Sequence, residues 1–320
     1  MKFKPDNFIL ALIVVVTLAY FFPNFGTKES GFPIDSVASL GVALIFFFYG
    51  LKLSPEKLKS GLKNWKLHVL VQLSTFLLFP IIILLFRPLA QNEHFQNIWL
   101  GFLFLAALPS TVSSSVVMVS LAKGNVPTAI FNASISGLIG ILITPVWMGF
   151  FIKQSGNEYE LSGIYLKLLF EILLPVVLGL SLQKFLGKYA QKYSAYLTTF
   201  DKSVILLIIY KSFAVSFSTG VFSSVKIKDL IFISVATFIL FFVVYFVTGL
   251  LSKSLNFNRE DQITAQFCGT KKSLVHGTVF SKILFPASMP LGIILLPLMI
   301  FHAFQLFVVS IIATEMGKKK

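Results

Sequence analysis

Charged residues are scarce in this chain: Asp, Glu, Lys and Arg together make up 12% of its 320 residues. A soluble domain usually carries about 25% charged residues, so a water-soluble globular enzyme is excluded. Cysteine is scarcer still, since Cys268 stands alone, and one cysteine forms neither an intrachain disulfide nor a zinc module. Spaced acid pairs, histidine clusters and nucleophile–base motifs are missing too, so the sequence predicts no enzyme.

What the chain has in excess is apolar residues. Hydrophobic residues make up 56% of it, Phe alone occurs 36 times, and the mean hydropathy is +0.85. This composition predicts an all-α, multi-pass integral membrane protein whose main partner is the lipid bilayer. The net charge of +14 comes from residues that lie between the apolar runs. It therefore indicates membrane orientation rather than a nucleic-acid partner.

A membrane-spanning helix needs about 20 mainly apolar residues, and the sequence offers ten such runs. Most Lys and Arg residues outside the runs fall on the side that holds the N-terminus. This predicts that both termini are cytoplasmic and that the chain lies in the cell (inner) membrane. The first run lacks a small-residue cleavage pattern and is expected to be a retained helix. The runs are Phe8 to Phe22, Asp35 to Leu51, Leu67 to Phe86, Asn97 to Ala122, Pro127 to Ile152, Gly163 to Leu182, Ser203 to Phe222, Leu230 to Leu251, Ile263 to Phe285 and Pro290 to Ala313.

Two of the predicted spans are interrupted in mid-membrane by small and polar residues. The fourth contains Leu108-Pro-Ser-Thr-Val-Ser-Ser-Ser115, and the ninth contains Gln266-Phe-Cys-Gly-Thr-Lys-Lys-Ser273. An unsatisfied polar group costs several kcal/mol in lipid. Both segments are therefore expected to face a cavity or other protein groups.

The two interruptions correspond to each other. Thr111-x-x-Ser114 is followed by Pro127 at the same spacing at which Thr270-x-x-Ser273 is followed by Pro286. A matched pair of interrupted spans indicates an internal repeat. Since each repeat holds five spans, an odd number, the second copy enters upside down. The prediction is two inverted repeats over residues 1–152 and 153–320, with unwound segments that bind a substrate or ion near the midplane.

Several motifs resemble those of the bile acid:sodium symporter (BASS) superfamily. Gly50-Leu-Lys-Leu-Ser-Pro-Glu56 is similar to the Gly-Leu-x-Leu motif after its second helix, and Gln72 stands where its third helix carries a glutamine. Pro109 to Ser115 with Ala122-Lys-Gly-Asn-Val126 resembles its fourth helix and the start of its fifth. Leu174-Pro-Val-Val-Leu-Gly179 is similar to the start of its second half.

Within that superfamily, Phe267 to Leu274 and Ile130 to Ser134 are most similar to the orphan branch that contains vertebrate solute carrier family 10 member 7 and the fungal regulators of calcium uptake. The resemblance implies ten transmembrane helices in two inverted five-helix repeats, with a panel domain and a core domain. The fourth and ninth helices would cross in the core as discontinuous helices.

The resemblance also implies a site. Sodium-coupled members bind cations through a glutamate and a glutamine of the ninth helix and a serine-asparagine pair of the fourth. Aligned without gaps, Gln266 takes the glutamate position, Thr270 the glutamine position and Lys271 that of the following asparagine. The resemblance thus implies a sodium site formed by Ser114, Gln266 and Thr270, without a carboxylate ligand. The full set of candidate substrate- and ion-binding residues is Ser114, Ser115, Asn132, Gln266, Thr270, Lys271, Gln72, Thr111 and Ser273, with Ser134 as an alternative to Asn132.

Lys271 and Lys272 put positive charge into the same crossover. A cation and an ammonium about 4 Å apart repel by about 4 kcal/mol at an effective dielectric near 20, which argues against simple sodium coupling. Three roles stay open: the lysine amine takes the place of the missing ion, it releases a proton and couples transport to protons, or it pairs with an anionic substrate. The structural alternative is that both lysines snorkel to the membrane surface.

Two further intramembrane charges are Glu171 in the sixth span and Lys211 in the seventh, and they are expected to form a charge pair or to line the cavity. His302 and Gln305, one turn apart in the tenth span, predict a helix–helix hydrogen bond.

The preferred function is a secondary active transporter that moves a small, anionic organic solute by alternating access, with sodium or protons as the coupling ion and no other cofactor. The alternative is a membrane regulator of calcium homeostasis that acts through partners without transport. The sequence does not set the oligomeric state.

Overall fold

The structure, a computed structural model, describes residues 7–27, 31, 33–53, 64–111, 113–152, 163, 166, 169–220, 225–286 and 288–318. Within these ranges every regular element is a helix, so the all-α prediction is confirmed. Residues 1–6, Ser54 to Glu56 of the second-helix motif and Val112 of the fourth-span motif lie outside the described residues.

Helices cover most of the predicted spans where the structure describes them, and interruptions divide the fourth and the ninth. A helix at Gln183–Lys192 lies outside the predicted spans, and the helix of the seventh span begins at Ser194 rather than at Ser203. The α-helices are α1 (Asn7–Phe21), α2 (Ile34–Lys52), α3 (Trp65–Leu73), α4 (Phe79–Leu85), α5 (Glu93–Ala107), α6 (Ser113–Leu121), α7 (Val126–Ile152), α8 (Leu174–Ser181), α9 (Gln183–Lys192), α10 (Ser194–Ser218), α11 (Ile227–Ser254), α12 (Arg259–Thr270), α13 (Leu274–Leu284) and α14 (Leu291–Lys318). Short π-helical turns at Ser74–Leu78 and Leu169–Leu173 lead into α4 and α8.

Five helical stretches among the described residues are long and apolar enough to cross a bilayer. The bent pair α8 and α9, with its preceding π turn, adds a sixth candidate and turns by 98°. Large apolar side chains such as Phe232 and Phe246 are exposed along α11, as expected for a helix that faces acyl chains. The chain is therefore a multi-pass membrane protein. The five stretches are Ile34–Lys52, Trp65–Leu89, Val126–Ile152, Ile227–Ser254 and Leu291–Lys318.

The chain folds as two compact units, and each draws on both halves of the sequence. The first unit comprises residues 1–54, 160–226 and 278–295. The second unit comprises residues 55–159, 227–277 and 296–320, and it contains the interruptions of both the fourth and the ninth span.

In the first unit, α2 and α8 cross at a pair of glycines. A Cβ atom on Gly50 would collide with the carbonyl oxygen of Val176, and one on Gly179 would collide with that of Phe47. Such close backbone contact between membrane helices requires small residues at the crossing. The motifs around Gly50 and Gly179 thus have a packing role.

In the second unit, both predicted interruptions are present. Helix α5 ends at Ala107, where Leu108 turns to an extended conformation with ψ 152° ahead of Pro109. Helix α12 ends at Thr270, and Lys271 is extended with φ −85° and ψ 146°. Helix α12 packs against α3, α6, α7 and α11, so its end lies in the interior of this unit.

Candidate substrate and ion site

The two interruptions contact each other directly. The backbone N–H of Ser273 donates to the carbonyl oxygen of Pro109 over 2.9 Å. Each interruption therefore satisfies part of the other's exposed backbone, as polar backbone at membrane depth must be satisfied by protein groups. This bond joins the two interruptions that carry the fourth- and ninth-span candidates.

The C-terminal carbonyls of α5 are satisfied by side chains from distant segments. A helix end leaves its last carbonyls without intrahelical partners. Here the hydroxyl of Thr144 donates to the Ala107 oxygen over 2.8 Å. The Nζ atom of Lys272 donates to the oxygens of Ala106 at 2.6 Å and Leu108 at 2.9 Å. The ammonium thus lies at the negative end of the α5 dipole.

A third carbonyl for Lys272 comes from the π turn before α4. In this turn the N–H of Phe79 donates to the carbonyl oxygen of Ser74, five residues earlier, and not to that of Thr75, four residues earlier. The Thr75 oxygen therefore lacks the donor that it would have in an α-helix. The next residue, Pro80, has no N–H to replace it. Lys272 Nζ donates to the Thr75 oxygen instead, over 2.7 Å.

Pro80 leaves another carbonyl without a helical donor, that of Phe76 four residues earlier. The indole N–H of Trp147 donates to it over 2.9 Å. The single proline thus opens two acceptors in the third span. A proline inside an apolar run was the sequence signal that could have predicted them.

Lys272 is fully buried, with 0% exposure. Its three ammonium donors match its three carbonyl acceptors, and its Nζ atom lies 4.2 Å from the ring centroid of Phe79. Carbonyl dipoles and the aromatic face both stabilise a buried cation. Lys272 is not among the candidate site residues predicted from the sequence, and the structure places its ammonium at the end of α5, in the interruption of the fourth span.

Gln305 of α14 holds the backbone of Lys272. Its Oε1 accepts the N–H of Lys272 at 2.9 Å, and its Nε2 donates to the Lys272 carbonyl at 2.7 Å. Gln305 Nε2 also lies 3.0 Å from His302 Nδ1. Gln305 therefore bonds to the non-helical segment at Lys272 and to a residue of its own helix, so its predicted hydrogen bond to another helix is wrong in the partner.

Lys271 is also fully buried at 0% exposure, but its surroundings differ. Its Nζ atom has no hydrogen-bond partner among the described residues. The snorkelling alternative is wrong for both lysines. Lys272 Nζ bonds to three carbonyl oxygens and Lys271 Nζ does not, and the three roles considered for Lys271 remain predictions.

The fourth-span candidates form one hydroxyl cluster. The Oγ1 atom of Thr111 lies 2.8 Å from Ser114 Oγ and 2.9 Å from Ser115 Oγ. Ser115 Oγ lies in turn 3.4 Å from the hydroxyl of Ser110. The structure therefore brings three predicted residues together.

Candidates from the third and fifth spans also meet. Gln72 Nε2 donates to the side-chain oxygen of Asn132 at 3.2 Å, and Asn132 Nδ2 donates to the Thr128 carbonyl at 3.1 Å. The Oε1 atom of Gln72 is buried without a hydrogen-bond partner among the described residues. It is an available acceptor in the interior of the second unit.

The ninth-span candidates are bonded mainly within their own segment. Thr270 Oγ1 donates to the Gln266 carbonyl at 2.6 Å, and Gln266 Nε2 donates to the Tyr245 carbonyl at 3.3 Å. Ser273 Oγ accepts the N–H of His276 at 3.3 Å, so it caps the start of α13. The hydrogen bonds of the described residues do not join Gln266 or Thr270 to Ser114.

Gln266 also lines a half-open cavity of about 600 Å³ in the second unit. The charged residues among those lining the cavity are Lys253 and Arg259, and neither Asp nor Glu lines it. Lys253 and Arg259 are exposed, whereas Gln266 is half-buried. The cavity thus leads from basic surface groups to a residue of the candidate site.

The N-terminal end of α12 is anchored by a carboxylate that sequence reasoning missed. Asp261 accepts the side-chain amides of Asn64 at 2.7 Å and Asn125 at 2.8 Å. The backbone N–H of Asn125 donates to Thr264 Oγ1 at 2.8 Å. These bonds join the segments before α3 and α7 to the broken helix.

The expected pair of Glu171 and Lys211 is not formed. In the first unit, Lys211 forms an ion pair with Asp35. Lys282 also reaches this position and donates to the Asp35 carbonyl and to Ser39. The Oε2 atom of Glu171 has no hydrogen-bond partner among the described residues.

Comparisons with known proteins agree with the membrane fold. Residues 6–318 match the SBF-like CPA transporter family (DUF4137). The chain is 36% identical to uncharacterized protein PA2026 of Pseudomonas aeruginosa, over 100% of this chain and 95% of that protein. It is 38% identical to YfeH of Escherichia coli K12, named as a candidate symporter, over 96% of this chain and 92% of that protein. It is 30% identical to sodium/bile acid cotransporter 7 of Danio rerio, over 97% of this chain and 93% of that protein.

These matches cover nearly the whole chain and define its class, a multi-pass membrane transporter and not an enzyme. The chain belongs to the SBF-like CPA transporter family. The resemblance to sodium/bile acid cotransporters is confirmed.

Proposed function

We propose that this protein is a secondary active transporter that moves a small organic anion by alternating access, coupled to sodium or protons. The chain crosses the cell membrane ten times as two inverted repeats, residues 1–152 and 153–320, with both termini in the cytoplasm. Lys271 binds the anion. The observation that carries this proposal is the buried Lys271 ammonium, which has no hydrogen-bond partner among the described residues.

A buried ammonium without a partner is costly, because water no longer stabilises its charge. A carboxylate, sulfate or phosphate group of a solute would supply both the opposite charge and hydrogen-bond acceptors. The buried hydroxyls of Thr111 and Ser115 on the other interruption could serve the remaining polar atoms of such a solute. Lys271 therefore gives the site its preference for anions.

The cavity beside α12 supports the same solute class. Its charged lining residues are Lys253 and Arg259, and it reaches Gln266, which lies on the same broken helix as Lys271. Basic groups along an entrance raise the local concentration of anions and speed their association.

The names of the relatives support coupled transport. YfeH is named for symport, and the Danio rerio relative is named for cotransport with sodium. For sodium, neutral oxygens at Ser114, Gln266 and Thr270 are the proposed ligands. The interleaved units support the repeat proposal, since each takes segments from both halves of the chain.

Binding is tested by thermal unfolding of purified protein with a panel of acetate, succinate, sulfate, phosphate and taurocholate. We expect at least one anion to raise the Tm, since a ligand of the folded state stabilises it. Lys271→Met should abolish that shift, and Lys271→Arg should retain part of it. Lys228→Met is the matched control, because Lys228 is exposed on α11. An equal shift in Lys271→Met, or no shift with any anion, would overturn the anion site.

Transport is tested with the same protein in vesicles, using the radiolabelled anion that gives the largest shift. Uptake should require an inward sodium or proton gradient and should be lost in Lys271→Met. Binding without any uptake would contradict the carrier mechanism and favour a regulatory role.

A further inference from the structure

We propose that the Lys272 ammonium is a built-in cation: it fills a site of backbone carbonyls that would otherwise take a small monovalent cation. The wild-type protein then needs no sodium ion at this position. The site stands on geometry alone, whereas its consequence for coupling rests on the proposed transport function.

The site has three ligands, which are the carbonyl oxygens of Thr75, Ala106 and Leu108. They lie 2.6–2.9 Å from the Lys272 nitrogen and come from the π turn and from the end of α5. Backbone carbonyls are also the groups that replace the hydration shell of monovalent cations in selectivity filters. We call these three oxygens the carbonyl cradle.

The cradle exists because its oxygens have lost their helical donors. The π turn and Pro80 release Thr75, and the end of α5 before Pro109 releases Ala106 and Leu108. All three oxygens carry partial negative charge and converge in the interior. Without a cation they would be buried acceptors without donors, which is costly.

The ammonium is held in place from two sides. Gln305 bonds both the N–H and the C=O of Lys272, and the ring of Phe79 lies 4.2 Å from the Nζ atom. Among the described residues, no carboxylate forms an ion pair with Lys272, so the carbonyl oxygens and the ring stabilise the charge. The lysine is fixed as a resident part of the cradle.

A diffusible cation cannot join the lysine there. Two unit positive charges about 4 Å apart repel by about 4 kcal/mol even at an effective dielectric near 20. Any sodium that drives transport must therefore bind elsewhere, and the proposed ligands Ser114, Gln266 and Thr270 are not among the cradle oxygens.

The test is to remove the ammonium and offer free cations. Lys272→Ala leaves the cradle empty, and its Tm is measured in N-methylglucamine chloride and then in sodium, potassium, ammonium or methylammonium chloride at equal ionic strength. We expect the variant to be less stable than wild type in N-methylglucamine. At least one small cation should raise its Tm by on the order of 5 °C in a saturable way.

Two control variants distinguish cation binding in the empty cradle from other effects of the salts on Tm. Lys272→Met fills the volume without charge, so its Tm should not respond to the choice of cation. Lys228→Ala removes an exposed lysine and should respond like wild type. If wild type and Lys272→Ala respond equally to every cation, the proposal is wrong.

If Lys272→Ala does not fold in N-methylglucamine, extraction in methylammonium or ammonium chloride should restore folded protein, judged by a monodisperse elution profile. Failure in every salt, for Lys272→Ala and for Lys272→Ser, would overturn the proposal, since free cations would then be unable to replace the ammonium. The assay contains no solute and no gradient, so its outcome is separate from that of the Lys271 experiments.

Discussion

Gln305 bonds both backbone groups of Lys272, with its Oε1 accepting the N–H at 2.9 Å and its Nε2 donating to the carbonyl at 2.7 Å. Because Lys272 lies outside any helix, its N–H and C=O have no intrahelical hydrogen bonds. The pair shows how a single amide side chain replaces helical hydrogen bonds at an interruption.

Gln305→Leu should therefore lower stability strongly. It leaves a buried N–H and a buried C=O without partners, and each such group costs about 1–3 kcal/mol. We expect a loss of at least about 2 kcal/mol, measured as a lower Tm in detergent. Gln191→Leu on the exposed surface of α9 should change stability by less than about 0.5 kcal/mol. Equal effects of the two substitutions would mean that the Gln305 bonds contribute little.

The crossing of α2 and α8 predicts intolerance to larger side chains. Gly50→Leu and Gly179→Leu place a side chain where backbone atoms of the opposite helix already lie. Overpacking of this kind costs about 1–3 kcal/mol or more, so the yield of monodisperse protein should fall. In Gly187→Ala the new Cβ meets only the flexible side chain of Gln183, at 3.0 Å, and the yield should be unchanged. Normal yields for both leucine variants would show that these helices can separate at the crossing.

The ion pair of Lys211 with Asp35 predicts a specific energetic coupling. In a double-mutant cycle, Lys211→Met and Asp35→Asn should show a coupling of about 0.5–1 kcal/mol, since both side chains are partly exposed. The cycle of Lys211→Met with Glu171→Gln should show a coupling near zero. The reverse pattern would restore the Glu171–Lys211 pair expected from the sequence.

Asn64 and Asn125 both donate to the Asp261 carboxylate. We therefore expect stability to depend more on the charge of the side chain at position 125 than on its size. Asn125→Asp keeps the shape of the side chain but offers Asp261 a second carboxylate in place of a donor. It should lower the Tm at neutral pH more than Asn125→Ala does, because like charges repel. Asn24→Asp, at an exposed position, is the control. A smaller loss for Asn125→Asp than for Asn125→Ala would show that the amide of Asn125 is dispensable.

The features predicted correctly from the sequence are local ones. Pro109 and the run of small polar residues after it signal a helix end by their own chemistry, and the structure interrupts the span there. The same holds for the segment from Thr270 to Ser273. Apolar runs likewise predict the helices themselves, since burial in lipid depends on composition over about 20 residues.

The contacts that the sequence did not predict join residues far apart in the chain. Lys272 and Thr75 are 197 positions apart, and periodicity says nothing about which carbonyl a lysine will reach. Hydropathy gives the depth of Lys211 and Glu171 in the membrane but not the direction that each charge faces around its helix. The partner of Lys211 in the structure is Asp35, which lies in the first turn of α2 rather than in mid-span.

The π turn at Ser74–Leu78 has a further consequence. Its contribution to the carbonyl cradle is a main-chain oxygen, which every amino acid provides, so substitutions along the turn leave that ligand intact as long as Pro80 and the turn persist. The residue at position 272 alone then decides what occupies the cradle. A lysine there supplies the cation from the chain itself, and a small neutral residue would let a cation from solution bind instead.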